Sequence, residues 1–224
     1  MATAADIAPA TPQTFWSRVV HWIGGHADIA SAVTLSIAGL LTSWSGYQAA
    51  LWDGDQAASY SQAGALRTEA SRRQIQAGQI EAADIVMFTQ WLDAEARGDT
   101  GLAGFYEQRF RPEYRTAHAA WRARRPLTDP AAPPTPFVMP EYRLAARAEA
   151  SALETQASAM FEDGQRANHI GDGFVRATVI FASALFFGGI GQAFRRPALH
   201  VVMLVISVLQ CAWGVIAMIQ LPLN

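Results

Sequence analysis

Charged side chains disappear from three stretches of the chain, residues 29–51, 177–194 and 197–224, and elsewhere they return within a few turns. A helix needs about 20 apolar residues to cross the hydrocarbon core of a bilayer, so each stretch is long enough. A soluble core helix keeps a charged face every turn or two, and these have none. The pattern predicts an all-α membrane protein with transmembrane helices at 29–51, 177–194 and 197–222.

Between the first two spans, residues 52–176 read as an extramembrane domain. From 56 to 97 no proline interrupts good helix formers. Ala63, Leu66, Ala70, Ala77, Ile80, Met87 and Trp91 fall on one heptad-spaced stripe, broken by Arg73 and Asp84. A shorter helix after Gly98-Asp99 stops at Pro112, and another should run to about Arg124. The six prolines of 126–140 exclude regular structure there and predict a semi-rigid turn. A second long helix is expected over 141–168, with Ala146, Ala150, Leu153, Ala157, Met160, Gly164 and Ala167 on its stripe. Two alanine-rich stripes flanking a turn predict an antiparallel helical hairpin, with Ala77 facing Ala157. At 1.5 Å per residue such a stalk is roughly 40 Å long. Gly171 and Gly173 read as a flexible joint into the second span.

Residues 1–28 form an N-terminal segment. The first thirteen are rich in Ala, Thr and Pro and read as a disordered tail. At 14–26, Phe15, Trp16, Val19, Val20, Trp22 and Ile23 fit either an interfacial amphipathic helix or an extended start to the first span. The apolar run begins too late and is too long for a cleaved signal peptide, so an uncleaved anchor is expected.

Charge then sets orientation. Arg195 and Arg196 occupy the very short loop between spans two and three, which the positive-inside rule places in the cytoplasm. Arg18 before the first span agrees, as do Asp53 and Asp55 after it. The N-terminus is then cytoplasmic, and the central domain and C-terminus lie outside a bacterial inner membrane. Fourteen of the seventeen basic residues fall in the central segment, but long exported domains translocate largely regardless of charge.

Every basic residue is Arg, and no run of them could neutralise a row of phosphates, so nucleic acid is not an expected partner. The single cysteine, Cys211, excludes a disulfide framework within one chain. None of the histidines (His21, His26, His118, His169 and His200) makes a zinc-type pair with a carboxylate on its helical face. Gly188-Gly189-Ile190-Gly191 looks like a dinucleotide loop but follows no strand. With no P-loop or nucleophile elbow either, neither an enzyme nor a cofactor is expected.

The spans offer packing instead. Ala32, Ser36, Gly39, Ser43, Gly46 and Ala50 form a small-residue seam on the first. Ala184, Gly188 and Gly191 form one on the second, and Ser207, Cys211 and Gly214 one on the third. Such seams serve close packing of the three spans or self-association. Gln210, in mid-span, needs a hydrogen-bond partner, for which Ser36, Thr42 or Ser43 are the candidates. Trp44, Tyr47 and Trp52 read as an interfacial aromatic belt. In the central domain Phe105, Tyr106, Arg109, Phe110, Arg111, Tyr114 and Trp121 form an aromatic–arginine cluster. It reads as a partner-docking surface or as the small core that closes the hairpin tip.

The layout, with Trp44-Ser45-Gly46-Tyr47-Gln48 and then Ala65-Leu66-Arg67, resembles a family of small bacterial three-span membrane proteins of unknown function. Related-looking proteins carry a W-x-x-Y-Q element and an apolar–Arg pair, often with a Lys that this chain lacks. No activity comes with the resemblance. The expectation is a structural or interaction component of the inner membrane, with the lipid bilayer, a second copy or another membrane protein as partner. The alternative is an oligomeric pore or transport accessory lined by Gln210 and the Ser/Thr face of the first span.

Overall fold

A computed structural model describes the backbone of residues 15–223 and the side chains of residues 27–223. The disordered-tail reading and the side chains of the proposed interfacial helix lie outside the described residues. Among those described, the fold is helical without strands: α1 (Phe15–Ala96), α2 (Thr100–Arg109), α3 (Pro112–Arg122), α4 (Ala145–Ala193) and α5 (Pro197–Ile219). Three of them, α1, α4 and α5, are long and apolar enough to cross a membrane.

Two compact units result, one from the described residues up to Ala58 with those from Gly164 onward, the other from Ser59–Asp163. Helices α1 and α4 run through both without a break. The joint expected at Gly171 and Gly173 is therefore absent, and these glycines make room instead. A Cβ on Gly171 would lie 3.2 Å from Asp53 Oδ1 of α1, and one on Gly173 would lie 2.8 Å from Leu221 Cδ2.

In the first unit Ala38 of α1, Ala177, Phe181 and Ala184 of α4 and Cys211 of α5 form the core. In the second, α1 ends where Gly98 takes φ +74°, a left-handed conformation that favours glycine. Asp99 then starts α2 by accepting the Leu102 amide at 2.9 Å. Pro112 starts α3, because its fixed φ suits a first helical turn and its missing N–H is not needed there.

Contacts between α1 and α4 in this unit run in antiparallel order. Tyr60 stacks on Phe161 at 5.1 Å, Arg67 pairs with Glu154 at 3.7 Å, and Arg73 with Glu149 at 3.2 Å. Arg147 reaches Glu81 at 2.6 Å. Exposed ion pairs contribute little stability. The alanines between them do more, because Ala63, Ala70, Ala77, Ala150 and Ala157 are all buried and let the backbones close up.

The register differs from the expected one. Ala77 packs with Leu144 and Ala146, eleven residues (roughly 16 Å of helix) from the expected Ala157. The stripes matched by composition alone, whereas in the fold α1 overshoots the start of α4 and packs its last turns against α2, α3 and the Pro-rich turn. With Cys211→Ser as background, Ala77→Cys with Ala146→Cys should crosslink within a chain under mild oxidation. Ala77→Cys with Ala157→Cys should not, and the reverse outcome on a mass-resolved gel would refute this register.

Candidate functional site

The apolar helices of the first unit approach closely where side chains are missing. A Cβ on Gly188 would lie 2.8 Å from Leu35 Cδ2 and 2.9 Å from Ser207 Oγ. On Gly191 it would meet Met203 Cβ at 2.9 Å, and on Gly214 the Phe181 ring at 2.6 Å. Ser207 Oγ donates to the Ala184 carbonyl at 2.7 Å, tying α5 to α4.

Gln210 finds its partner on α4, a correction to the expected bond with α1. Ser183 Oγ lies 3.1 Å from Gln210 Oε1 and 2.7 Å from the Ile180 carbonyl, so two acceptors share one hydroxyl proton. The hydroxyls expected to serve Gln210 are satisfied in their own helix. Ser36, Thr42 and Ser43 donate to the carbonyls of Ala32, Ala38 and Gly39 at 2.8, 2.7 and 3.1 Å.

The seam on α1 also does not pack the three helices together within one chain. Ala32, Ser36, Ser43, Gly46 and Ala50 are exposed, Gly39 is half-buried, and a Cβ at Gly39 or Gly46 would meet nothing within 4 Å. The buried face of α1 is the neighbouring one, with Ser31, Ala38, Ser45, Gln48 and Ala49. Of the expected aromatic belt, Trp44 and Tyr47 are exposed with rings 6.0 Å apart, while Trp52 is half-buried.

Ser31, His200 and Asp28 come together in the order of a serine–histidine–carboxylate relay. Ser31 Oγ is 3.1 Å from His200 Nε2, and His200 Nδ1 is 3.9 Å from Asp28 Oδ1. Ser31 is 0% exposed and the carboxylate lies beyond hydrogen-bond reach, so the three groups do not make a continuous relay. The arrangement fastens α5 to α1.

In the second unit the aromatic–arginine cluster divides. Phe110, Tyr114 and Trp121 are buried with Phe88, Trp91 and Met139 and form the core. They are not a docking surface, because α2, α3 and the Pro-rich turn close over them. Trp121 Nε1 donates to the Pro133 carbonyl at 2.7 Å, which fastens that turn. Tyr106 packs half-buried against the core. Phe105 remains 47% exposed, with the Arg109 guanidinium 3.5 Å from its ring centroid.

Arg111 turns inward to Asp84, a carboxylate only 3% exposed. Arg111 Nε donates to Oδ1 at 3.2 Å and Nη2 to Oδ2 at 2.7 Å, and Tyr142 Oη donates to Oδ2 at 2.9 Å. A fork of this kind satisfies a buried charge with fixed geometry. The pair favours the Arg111 cation, while burial drives the hydroxyls of Tyr142 and Tyr114 well above the usual phenol range.

His118 was not singled out by sequence. It is buried on α3 among rings, with Trp91 at 4.4 Å, Phe110 at 4.9 Å, and Tyr114 and Trp121 at 5.8 Å. Its Nε2 has no hydrogen-bond partner among the described residues. Burial lowers its pKa to about 4; Glu107 opposes that shift and Arg122 adds to it. Its spacing of four from Tyr114 on the inner face of α3 was the available signal.

No known protein family, curated protein or solved structure matches the chain.

Two measurements follow from these contacts. Gln210→Leu should lower stability in detergent by about 0.5–2 kcal/mol, with Ser183→Ala non-additive and Ser36→Ala additive in double-mutant cycles. Zero coupling to Ser183 would reject the bond. His118 stays neutral in the fold, while in the unfolded chain it titrates near 6.5, so protons favour unfolding as pH falls from about 6.5 to 4. The loss amounts to at most about 3 kcal/mol and is absent above that window. Thermal unfolding across it should show a pH slope that His118→Phe flattens, and an unchanged slope would overturn the account.

Proposed function

We propose that this chain is a self-associating structural or interaction component of the bacterial inner membrane, akin to the small three-span proteins it resembles. The observation that carries this reading is the outward seam of α1, where Gly39 and Gly46 lie open. In lipid, helices associate through close van der Waals packing, and small residues on an accessible face permit it. The comparable residues of α4 and α5 already lie within the chain, at Gly188, Gly191 and Gly214. The seam of α1 is the one left for a second copy.

On this reading α1, α4 and α5 supply the spans, and residues 59–163 form a helical hairpin outside the cytoplasm. The Arg195–Arg196 turn supports a cytoplasmic N-terminus and an external C-terminus. The pore alternative has less support, because Gln210 is tied to Ser183 and the Ser/Thr hydroxyls of α1 to their own backbone. An enzyme reading has less still, with Ser31 sealed.

Gly39→Leu and Gly46→Leu place bulk where the chain has open space, so folding should be retained. Association, read by energy transfer between labelled copies in detergent or liposomes, should weaken about tenfold or more. Gly188→Leu is the contrast, since its new side chain meets Leu35 and Ser207 and should destabilise the fold itself. A wild-type protein monomeric at all densities, or association unmoved by Gly39→Leu with Gly46→Leu, would defeat the proposal.

A further inference from the structure

Beside the aromatic core of residues 59–163, a cavity of about 220 Å³ opens against α1, the end of α3 and the turn that follows it. Its apolar walls are Trp91, Trp121, Pro126 and Leu127, its charged ones are Arg122 and Arg125, and no carboxylate lines it. Arg122 is already committed. It pairs with Glu107 at 2.5 Å and Glu95 at 3.6 Å and lies over the Trp91 ring at 5.3 Å.

Arg125 is different. Its guanidinium makes no ion pair among the described residues, and its backbone holds φ 54°, the left-handed region. The turn keeps it there: the Arg125 carbonyl accepts from Thr128 N at 3.0 Å, Asp129 N at 2.9 Å and Thr128 Oγ1 at 3.2 Å. Few non-glycine residues adopt this conformation, and Asn is among those that tolerate it. The turn therefore fixes the backbone of an exposed arginine that lines this largely apolar cavity and has no ion-pair partner among the described residues.

A largely apolar hollow with a few polar groups on its wall is the usual form of a small-ligand site, and of the two arginines here Arg125 is the one without an ion-pair partner among the described residues. The volume suits a body about as large as one amino-acid side chain. The free guanidinium selects a carboxylate, which it grips bidentately. We infer that this cavity binds a carboxylate carried on a small apolar body, either a free acid or the C-terminal residue of a peptide. The cavity lies within residues 91–128 and does not depend on the membrane reading.

The test is isothermal titration of the full-length protein in detergent with N-acetyl-leucine, its amide, and a short peptide ending in Leu. The acid should bind and the amide should be about tenfold weaker or worse, the loss expected for a charge-assisted bond. A peptide about tenfold tighter than the free acid identifies a chain terminus as the source, and equal affinities identify the free acid. Arg125→Asn keeps the turn and should cost the acid about tenfold, whereas Arg125→Lys keeps the charge and should cost less. Thermal unfolding checks that both variants fold. Equal binding of acid and amide, no binding at about 20 mM, or an unchanged Arg125→Asn variant that folds would overturn the assignment.

Discussion

Close approach through small side chains is the constraint on which the structure depends. On α1 the buried positions recur at multiples of seven: Ser31, Ala38 and Ser45 on one line, and on another Ala49, then past half-buried Gln56 to Ala63, Ala70 and Ala77. On α4, Ala150, Ala157, Gly164 and Gly171 form one such line and Ala177, Ala184 and Gly191 a second. A helix keeps one face toward a neighbour over many turns only if its contact residues hold such a period. Alanine, serine and glycine there let the helix backbones approach closely. The arginine–glutamate pairs along α1 and α4 flank this contact and depend on it for their reach.

The line on α1 continues to Asp84 and Trp91, and there the packing changes in kind. Facing α2, α3 and the Pro-rich turn, α1 contributes a buried carboxylate and then a buried indole. Taking Asp84 out of water is expensive unless its lone pairs are met, and removing one partner of such a pair is costlier than the pair is stabilising. Two bonds from Arg111 and one from Tyr142 meet them. Because those residues come from the α2–α3 junction and the segment before α4, this arrangement fixes how the short helices close over the rings.

Much of this organisation was legible in sequence. The charge-free stretches mark the apolar parts of α1, α4 and α5, and the ends at Gly98 and Pro112 follow from backbone chemistry. Other features were not legible: the inward face of α1, the hairpin register, the unbroken run of α4 past Gly171 and Gly173, and the partner of Gln210. Small residues populate two adjacent faces of α1, so spacing alone could not say whether Gly39 and Gly46 or Ala38 and Ala49 turn inward. Extending the Ala63–Ala70–Ala77 line backward by sevens reaches Ala49 and not Ala50, and that continuity was the usable signal. The same continuity makes Asp84 a member of the buried line; by type alone it looked like an interruption. Gln210 was assigned to α1, where Ser36, Thr42 and Ser43 were the candidate partners. A hydroxyl on a helix can satisfy itself on the preceding turn, so its presence says nothing about its availability.

That self-satisfaction also governs what the outward face of α1 can do. Thr34, Ser36 and Ser43 donate to the carbonyls of Ala30, Ala32 and Gly39, so the seam presents lipid with no unmet donor. A lone copy therefore carries no polar penalty there, in contrast to Gln210, whose side-chain carbonyl would be stranded in hydrocarbon without Ser183. Association through the seam would gain only shape and dispersion, contributions that are individually small and add up over the contact. It would be reversible, set by surface density and by how well lipid tails fill the groove. Within the chain, by contrast, α4 and α5 are joined by bonds from Ser207 and Ser183 as well as by glycine contacts, and that pairing does not depend on density.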